Sequence, residues 1–326
     1  AYHHVGNNKY PSTNVSLKHF KQEMQWLHTH GYHVLSLTDI VNHLKKNELL
    51  PDKTIGISFD DAYKSVLTNA LPLLKKYNFP FTLFISPKFI PSSSSTKSVY
   101  CSWKQINALP TSLVTLGNHT YSHPHMLNLS AHAVHEEITR AEKIIAAKTS
   151  IKPKLFAYPY GEYSHAIRET VKKLEFAAAF SQTSGSNDTF SNRYSLQRFP
   201  INDAYHSEER FSTITQARAL DISRVSPSSI VTNRVNPKIT LLNKTKGLSH
   251  FNCFPASGGT LNLVSGDNGT DSITLKKSFT AGRNKINCTA RDRKSHLYWR
   301  GLFFYVKKKN ARSPSATQIT VKEGGV

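Results

Sequence analysis

From residue 1 to about residue 203, strand-like and helix-like segments alternate; after about residue 225 helical periodicity stops. No other feature limits the fold as tightly. Strand-then-helix repetition at this pitch builds a parallel sheet or barrel covered by helices, whereas short β runs between turn clusters build an all-β module. In the first part, Phe20, Met24 and Leu27 fall on one helical face of HFKQEMQWLHTHG, which Gly31 closes as a C-terminal cap. Further helices are read in DIVNHLKK, capped by Thr38, and in SWKQINAL, AHAVHEEITRAEKIIAAKT and HAIRETVKKLEF. SVLTNALPLLKKYN reads as a helix in which Pro72 marks a kink or a restart. HVLSL, TIGISF, FTLFIS, LFAYPY, AAAFS and LQRFPI read as strands, and LVTLGNHTYSH as a strand running into a loop. In the second part, PKITLLN, GTLNLVS, DSITLKKSF, KINCTA and LYWRGLFFYV, separated by clusters such as SGG and GDNG, predict a small sandwich. The expected division is a first domain over 1–225, with a core at 1–203 and a connector at 204–225, and an all-β domain over 226–326.

Charge is distributed unevenly between these parts. Residues 226–326 hold 17 Lys and Arg against 4 Asp and Glu, within a chain whose formal net charge is +21. A basic C-terminal third suits an anionic neighbour such as a cell-envelope surface, or simply serves solubility. No nucleic-acid recognition motif accompanies the charge, so no nucleic acid is expected as a partner. No run approaches the eighteen apolar residues of a membrane span. The opening AYHHV lacks the basic start and apolar run of a signal peptide and reads as the end of a strand, as in a processed N-terminus. Cys253 and Cys288 lie in strand-like contexts where a bridge would suit an exported protein, and Cys101 stands alone as a buried or semi-buried thiol.

Several predicted strands end in residues that do not belong in a core. In barrels and related sheets, reactive groups collect at the C-terminal ends of the strands. That rule selects Asp60 and Asp61 after TIGISF, His119 and His123 after LVTLG, and Tyr160 after LFAYP, with His3 and His4 near the first strand and Arg198 on LQRFPI. Adjacent carboxylates repel unless a cation sits beside them. Two histidines four residues apart plus one carboxylate form a three-ligand set with open positions, the pattern of a catalytic divalent metal site. The second carboxylate is then available as a general base. Read apart, Asp60-Asp61 also suits a helix N-terminus, and His119 and His123 are two of sixteen histidines.

TIGISFDDAYKSVL resembles the first motif of the carbohydrate esterase family 4 polysaccharide deacetylases, whose domain is also called the NodB homology domain. GNHTYSHPHM is similar to the family's His-(Ser/Thr)-x-x-His metal motif, and LFAYPYGEY to its Pro-Tyr-Gly segment. The resemblance covers roughly residues 1–203. It implies a distorted (β/α) barrel, a bound divalent metal, and removal of acetyl groups from N-acetylated sugars. Carried over by residue, it implies Asp60 as general base, Asp61, His119 and His123 as metal ligands, and the Tyr160 N–H as a donor to the oxyanion. Zinc is the first expectation for the metal, with cobalt, nickel or iron also suited to this donor set.

The sequence departs from that pattern twice. The family's arginine two residues before the Pro-Tyr pair is here Ala157, and no Leu-x-His strand follows LEFAAAF to supply the usual acid histidine. AYHHV resembles the Tyr-His near the start of the circularly permuted branch, which includes the poly-β-1,6-N-acetylglucosamine deacetylases of biofilm formation. That likeness implies His3 as general acid, with His4 as its rival; adjacent strand residues face opposite ways, so one of the two points inward. Arg198 is expected either to replace the missing arginine by orienting Asp60 or to be an exposed strand residue. His125 is expected to be a loop histidine, Tyr63 and Tyr163 to be core or sugar-stacking rings, and Trp299 to be sandwich core. The expected activity is N-deacetylation of an extracellular polysaccharide, poly-β-1,6-GlcNAc first, at an extracellular, periplasmic or cell-surface location. Peptidoglycan or another envelope glycan is the alternative substrate, and a non-catalytic carbohydrate-binding protein the alternative of another class.

Overall fold

A computed structural model describes residues 1–307, apart from residues 8, 96, 267 and 268. The tail from residue 310, read as a last strand or a frayed end, and Lys308 and Lys309 lie outside the described residues.

Among the described residues, the first part contains nine short strands: β1 (His4–Val5), β2 (Asn14–Val15), β3 (His33–Val34), β4 (Thr54–Ile55), β5 (Ile57–Phe59), β6 (Phe81–Ile85), β7 (Val114–Asn118), β8 (Leu155–Ala157) and β9 (Ala178–Phe180). Strands β5 to β9 pair in sequence order as one parallel sheet. Their residues are almost all buried, as expected for a parallel sheet covered on both faces. The covering helices are α1 (Leu17–Thr29), α2 (Leu37–Lys46), α3 (Leu71–Tyr77), α4 (Trp103–Asn107), α5 (Ala131–Thr149) and α6 (His165–Lys173). Serine side chains cap α1, α2, α4, α5 and α6 at Ser16, Ser36, Ser102, Ser130 and Ser164. Each accepts a backbone N–H that the first turn leaves without a helical partner. The cap of α2 is therefore Ser36 and not Thr38. Pro72 restarts the helix: a π-helical turn over Val66–Ala70 leads into α3, where Pro72 lies in the first turn and needs no N–H partner.

The sheet curls, but a closed (β/α) barrel is not formed among the described residues. At one edge Tyr2 pairs with Phe59 by a single bridge, and at the other Leu196 pairs with Phe180 by another. LQRFPI, expected as a strand, crosses the gap as irregular chain. Main-chain bonds hold it on both sides, Leu196 N to Ala179 O at 2.9 Å, Arg198 N to Thr183 O at 3.1 Å and Ile201 N to Ala1 O at 2.9 Å. At Gln197 a side-chain amide does so: Asn187 Nδ2 donates to Gln197 O at 2.9 Å, and Gln197 N donates to Asn187 Oδ1 at 2.8 Å. The core beneath includes Tyr2, Phe20, Phe59 and Phe81, each at most 4 % exposed, with the Tyr2 and Phe59 rings stacked at 5.4 Å. Burial of one such ring contributes about 1.5–3 kcal/mol.

After α7 (Glu208–Gln216) come the strands β10 (Arg218–Ala219), β11 (Ile222–Ser226), β12 (Val231–Thr232), β13 (Ile239–Asn243), β14 (Ser249–Pro255), β15 (Leu261–Ser265), β16 (Thr270–Leu275), β17 (Gly282–Arg291) and β18 (Leu297–Val306). One sheet runs β10-β18-β17-β14 with β12 also on β18, and the other runs β11-β13-β16-β15. Both contribute to one apolar core that includes Leu241, Ile273, Ile286 and Phe304. The strands of this module thus begin at Arg218, ahead of residue 226. Cys253 and Cys288 face each other across β14 and β17 and are disulfide-bonded. Trp299 is not in that core: it is half-buried at the seam with the first part, edge-on to Phe199 at 5.4 Å.

Candidate active site

The site forms where β5, β7 and β8 end. Tyr2 N donates to Ser58 O at 2.9 Å and Asp60 N donates to Tyr2 O at 3.0 Å. This register lays the N-terminal segment along β5 and sets His3 beside Asp60, with His3 Nε2 3.9 Å from Asp60 Oδ2. His4 faces the other way. Its ring is stacked against Tyr63 at 3.5 Å and Tyr10 at 4.5 Å, and burial pushes its imidazole down to about 4.

Asp60 is fully buried, and Arg198 forms a two-pronged pair with it: NH1–Oδ1 is 2.7 Å and NH2–Oδ2 is 2.9 Å. Arg198 is 7 % exposed, so it is not a solvated strand residue; it also donates to Ser58 Oγ and Ser181 O. Burial alone would raise the Asp60 carboxyl, but the Arg198 guanidinium, with lesser help from His119 and His3, holds it well below the usual carboxylate range.

Asp61, His119 and His123 converge, with one potential ligand atom from each lying within 4.8 Å of the others. Asp61 Oδ1 is 3.8 Å from His119 Nε2 and 3.7 Å from His123 Nε2. His119 Nδ1 lies 2.7 Å from Ala157 O. A carbonyl only accepts, so Nδ1 carries the proton and Nε2 presents a bare lone pair. That Nε2 is buried with no hydrogen-bond partner. An orphaned acceptor facing a carboxylate and a second imidazole fits a divalent cation. Burial also keeps both rings in the neutral form that ligates, His119 down to about 3 and His123 lowered. Burial and the neighbouring Asp60 raise Asp61 to about 6, the cost of an uncompensated second carboxylate.

Tyr160 stands at the end of β8 in left-handed conformation, φ 57° and ψ 7°. Its ring meets His123 edge-on at 4.5 Å and stacks on His125 at 4.0 Å. His125, expected to be an ordinary loop histidine, is held by Glu162, whose two oxygens are each 3.1 Å from His125 Nδ1. Asp61, Ala62, Thr120 and His123 are also left-handed, so non-glycine strain gathers at this mouth.

Two residues of the site were missed by sequence reasoning. Gln182 Nε2 donates to Asp60 Oδ2 at 3.2 Å and lies 3.4 Å from His3 Nε2. Glu162 is 1 % exposed beneath Tyr160. The strand-end rule would have found Gln182, two residues past β9. A charged residue directly after the Pro-Tyr-Gly segment was the signal for Glu162. Of the aromatic candidates, Tyr63 is stacked between His4 and Tyr100, and Tyr163 between Tyr158 and Phe303 of β18.

Residues 47–179 match the family model described as polysaccharide deacetylase, a span that includes Asp60, Asp61, His119, His123 and Tyr160. This part of the chain is a polysaccharide deacetylase domain. Outside the matched span lie His3, Gln182 and Arg198, all of which reach Asp60. The deacetylase domain has a relative in Staphylococcus aureus named poly-beta-1,6-N-acetyl-D-glucosamine N-deacetylase, 26% identical over 199 residues, covering 58% of this chain and 68% of the relative. In fold, the chain is similar to the Streptococcus pyogenes deacetylase PplD (21% identity, TM-score 0.56, 62% of this chain and 90% of that one). It is also similar to IcaB from Ammonifex degensii (23% identity, TM-score 0.54, 62% and 89%).

Proposed function

We propose that the chain hydrolyses the N-acetyl groups of GlcNAc residues in an extracellular polysaccharide, with poly-β-1,6-N-acetylglucosamine as the first candidate. The observation that carries this is the pairing of Asp61, His119 and His123, one of them with an orphaned buried lone pair, with a separate carboxylate, Asp60, held ionised by Arg198. The name of the Staphylococcus aureus relative supports the linkage. So does the residue order, in which His3 precedes Asp60 as in the circularly permuted branch.

In this reading Asp61, His119 and His123 hold a divalent metal, zinc first. When bound, such an ion supplies Lewis acidity at the amide carbonyl and makes a nearby water more acidic. Asp60 takes the proton of the attacking water, and Arg198 and Gln182 fix the direction from which it does so. The Tyr160 N–H donates to the oxygen on which negative charge develops. His3 protonates the departing sugar nitrogen, releasing acetate and a free amine. The Cys253–Cys288 bridge suits an oxidising location outside the cytoplasm. The basic C-terminal third suits an anionic envelope surface.

The test is acetate release from a β-1,6-linked GlcNAc oligomer, beside chitin oligomers and peptidoglycan, with and without chelator. Chelator-sensitive release from the β-1,6 oligomer is the expected result. Preference for peptidoglycan would transfer the activity to an envelope glycan. No release from any of them, with metal bound, would leave a carbohydrate-binding protein.

A further inference from the structure

The first part and the β module meet beside the site, and two cations of β17 reach into it. Arg283 and Lys285 are two residues apart on one strand and therefore face the same side of it. Arg283 donates from NH1 to Tyr160 O at 3.3 Å, its Nε lies 3.5 Å from Glu162 Oε1, and its guanidinium lies 5.3 Å from the centre of the Tyr160 ring. Lys285 donates from Nζ to Gln182 O at 2.5 Å.

The two loops so held are packed directly on each other. Gly161, at φ +69°, approaches so closely that a Cβ there would come 2.4 Å from Gln182 N. One loop carries Tyr160, with a backbone conformation that a tyrosine adopts only when its surroundings impose it. The other carries Gln182, whose side chain touches both Asp60 and His3. Docking of the module is not left to these cations alone: Gln197 Nε2 donates to Gly301 O at 2.6 Å, and Gly185 bridges to Arg300. The seam therefore has contacts besides these two cations that hold the module.

We propose that the C-terminal β module is a working part of the active site, in which Arg283 and Lys285 are positioning residues that set Tyr160 and Gln182 for turnover. This rests on the deacetylase reading above. Neither cation touches the reacting atoms; Arg283 acts through the carbonyl of Tyr160, and Lys285 through that of Gln182, which itself bears on Asp60 and His3. Burial lowers the Lys285 ammonium to about 8, in keeping with a side chain turned inward to the protein.

The experiment compares full-length wild type with Arg283→Met and Lys285→Met, which keep the packing stems but lose the donors, and with Arg283→Lys, which keeps the charge without the planar fork. Lys294→Ala, an exposed lysine in the turn of the same hairpin, is the control. Initial rates of acetate release from the glycan that wild type prefers, metal content and melting temperature are measured for each. The expected result is a fall in kcat of about 10- to 100-fold for both methionine variants, with KM within about twofold and one metal per chain. Arg283→Lys should lie between wild type and Arg283→Met. Unchanged kcat with a lower melting temperature would make the module a purely structural support. A raised KM at unchanged kcat would make it a glycan-contact surface. Either overturns this inference while the deacetylase reading stands. A wild type that releases no acetate would overturn both.

Discussion

Arg198 and Asp60 are joined by two parallel hydrogen bonds across 138 residues of sequence, at 2.7 and 2.9 Å, with neither side chain open to solvent. Removing one partner leaves a buried charge without compensation. Arg198→Met should therefore destabilise the chain by about 3–5 kcal/mol in urea unfolding, and should lower acetate release further than the loss of folded protein explains. Arg198→Lys keeps the charge but not the fork, so its effect should be intermediate.

Metal binding and proton transfer are assigned to different carboxylates one residue apart. Alanine at Asp61, His119 or His123 should reduce metal per chain, measured by elemental analysis after dialysis, and should lower the melting temperature toward that of chelated wild type. Asp60→Asn should keep the metal and lose acetate release. Loss of metal in Asp60→Asn as well would merge the two roles.

His3 and His4 should separate in kinetics. His3→Ala removes the proposed proton donor and should lower kcat by roughly 10²- to 10⁴-fold. His4→Phe preserves the ring stack with Tyr63 and Tyr10 and should change kcat by less than about threefold, on the same scale of a group outside proton transfer. A larger loss in the His4 variant would reverse the assignment.

Glu23 gives a pH dependence of stability. It is 3 % exposed, accepts from Tyr2 Oη at 2.8 Å and lies 3.5 Å from His206 Nδ1. Burial raises its carboxyl to about 7, against the countering hydrogen bond from Tyr2. The folded pKa is above the unfolded value, so the contribution is present in full below pH 4.5 and is lost as pH rises through about 7. Relative to Glu23→Gln, which does not ionise, wild type should lose on the order of 3 kcal/mol over that window. Parallel unfolding curves of the two proteins across the range would contradict it.

The parts of the site legible in the sequence are those where chemistry follows an apolar run within a few residues. Asp60 and Asp61 follow Phe59, and His119 follows β7, so strand ends alone brought them forward. Arg198 was legible as a residue but not as a place: its segment alternates like a strand, yet past the Leu196–Phe180 bridge its backbone meets the Asn187 amide, Thr183 O and Ala1 O one at a time and forms no regular ladder. Arg283 and Lys285 were out of reach. Their partners Tyr160 and Gln182 lie more than a hundred residues away, and an alternating strand reads the same whether its polar face meets solvent or another domain. How far the distorted barrel closes was out of reach for a related reason, because periodicity counts strands but not the hydrogen bonds that would join the last to the first.

The left-handed backbone at Asp61, Ala62, Thr120, His123 and Tyr160 has a consequence for how such a chain changes over time. At Asn47, Asn78 and Ser150 the same conformation closes helices and is routine. At the mouth it is imposed on Asp61 and His123, whose side chains the site presents, and on residues beside them, each at a cost of about 1–3 kcal/mol. Glycine at Asp61 or His123 relaxes the backbone but removes a side chain of the site, so there a substitution that relieves strain also blunts the molecule. Sturdiness and catalysis compete here for the same few dihedral angles, and a lineage released from its substrate would be expected to drift toward a tougher, silent descendant.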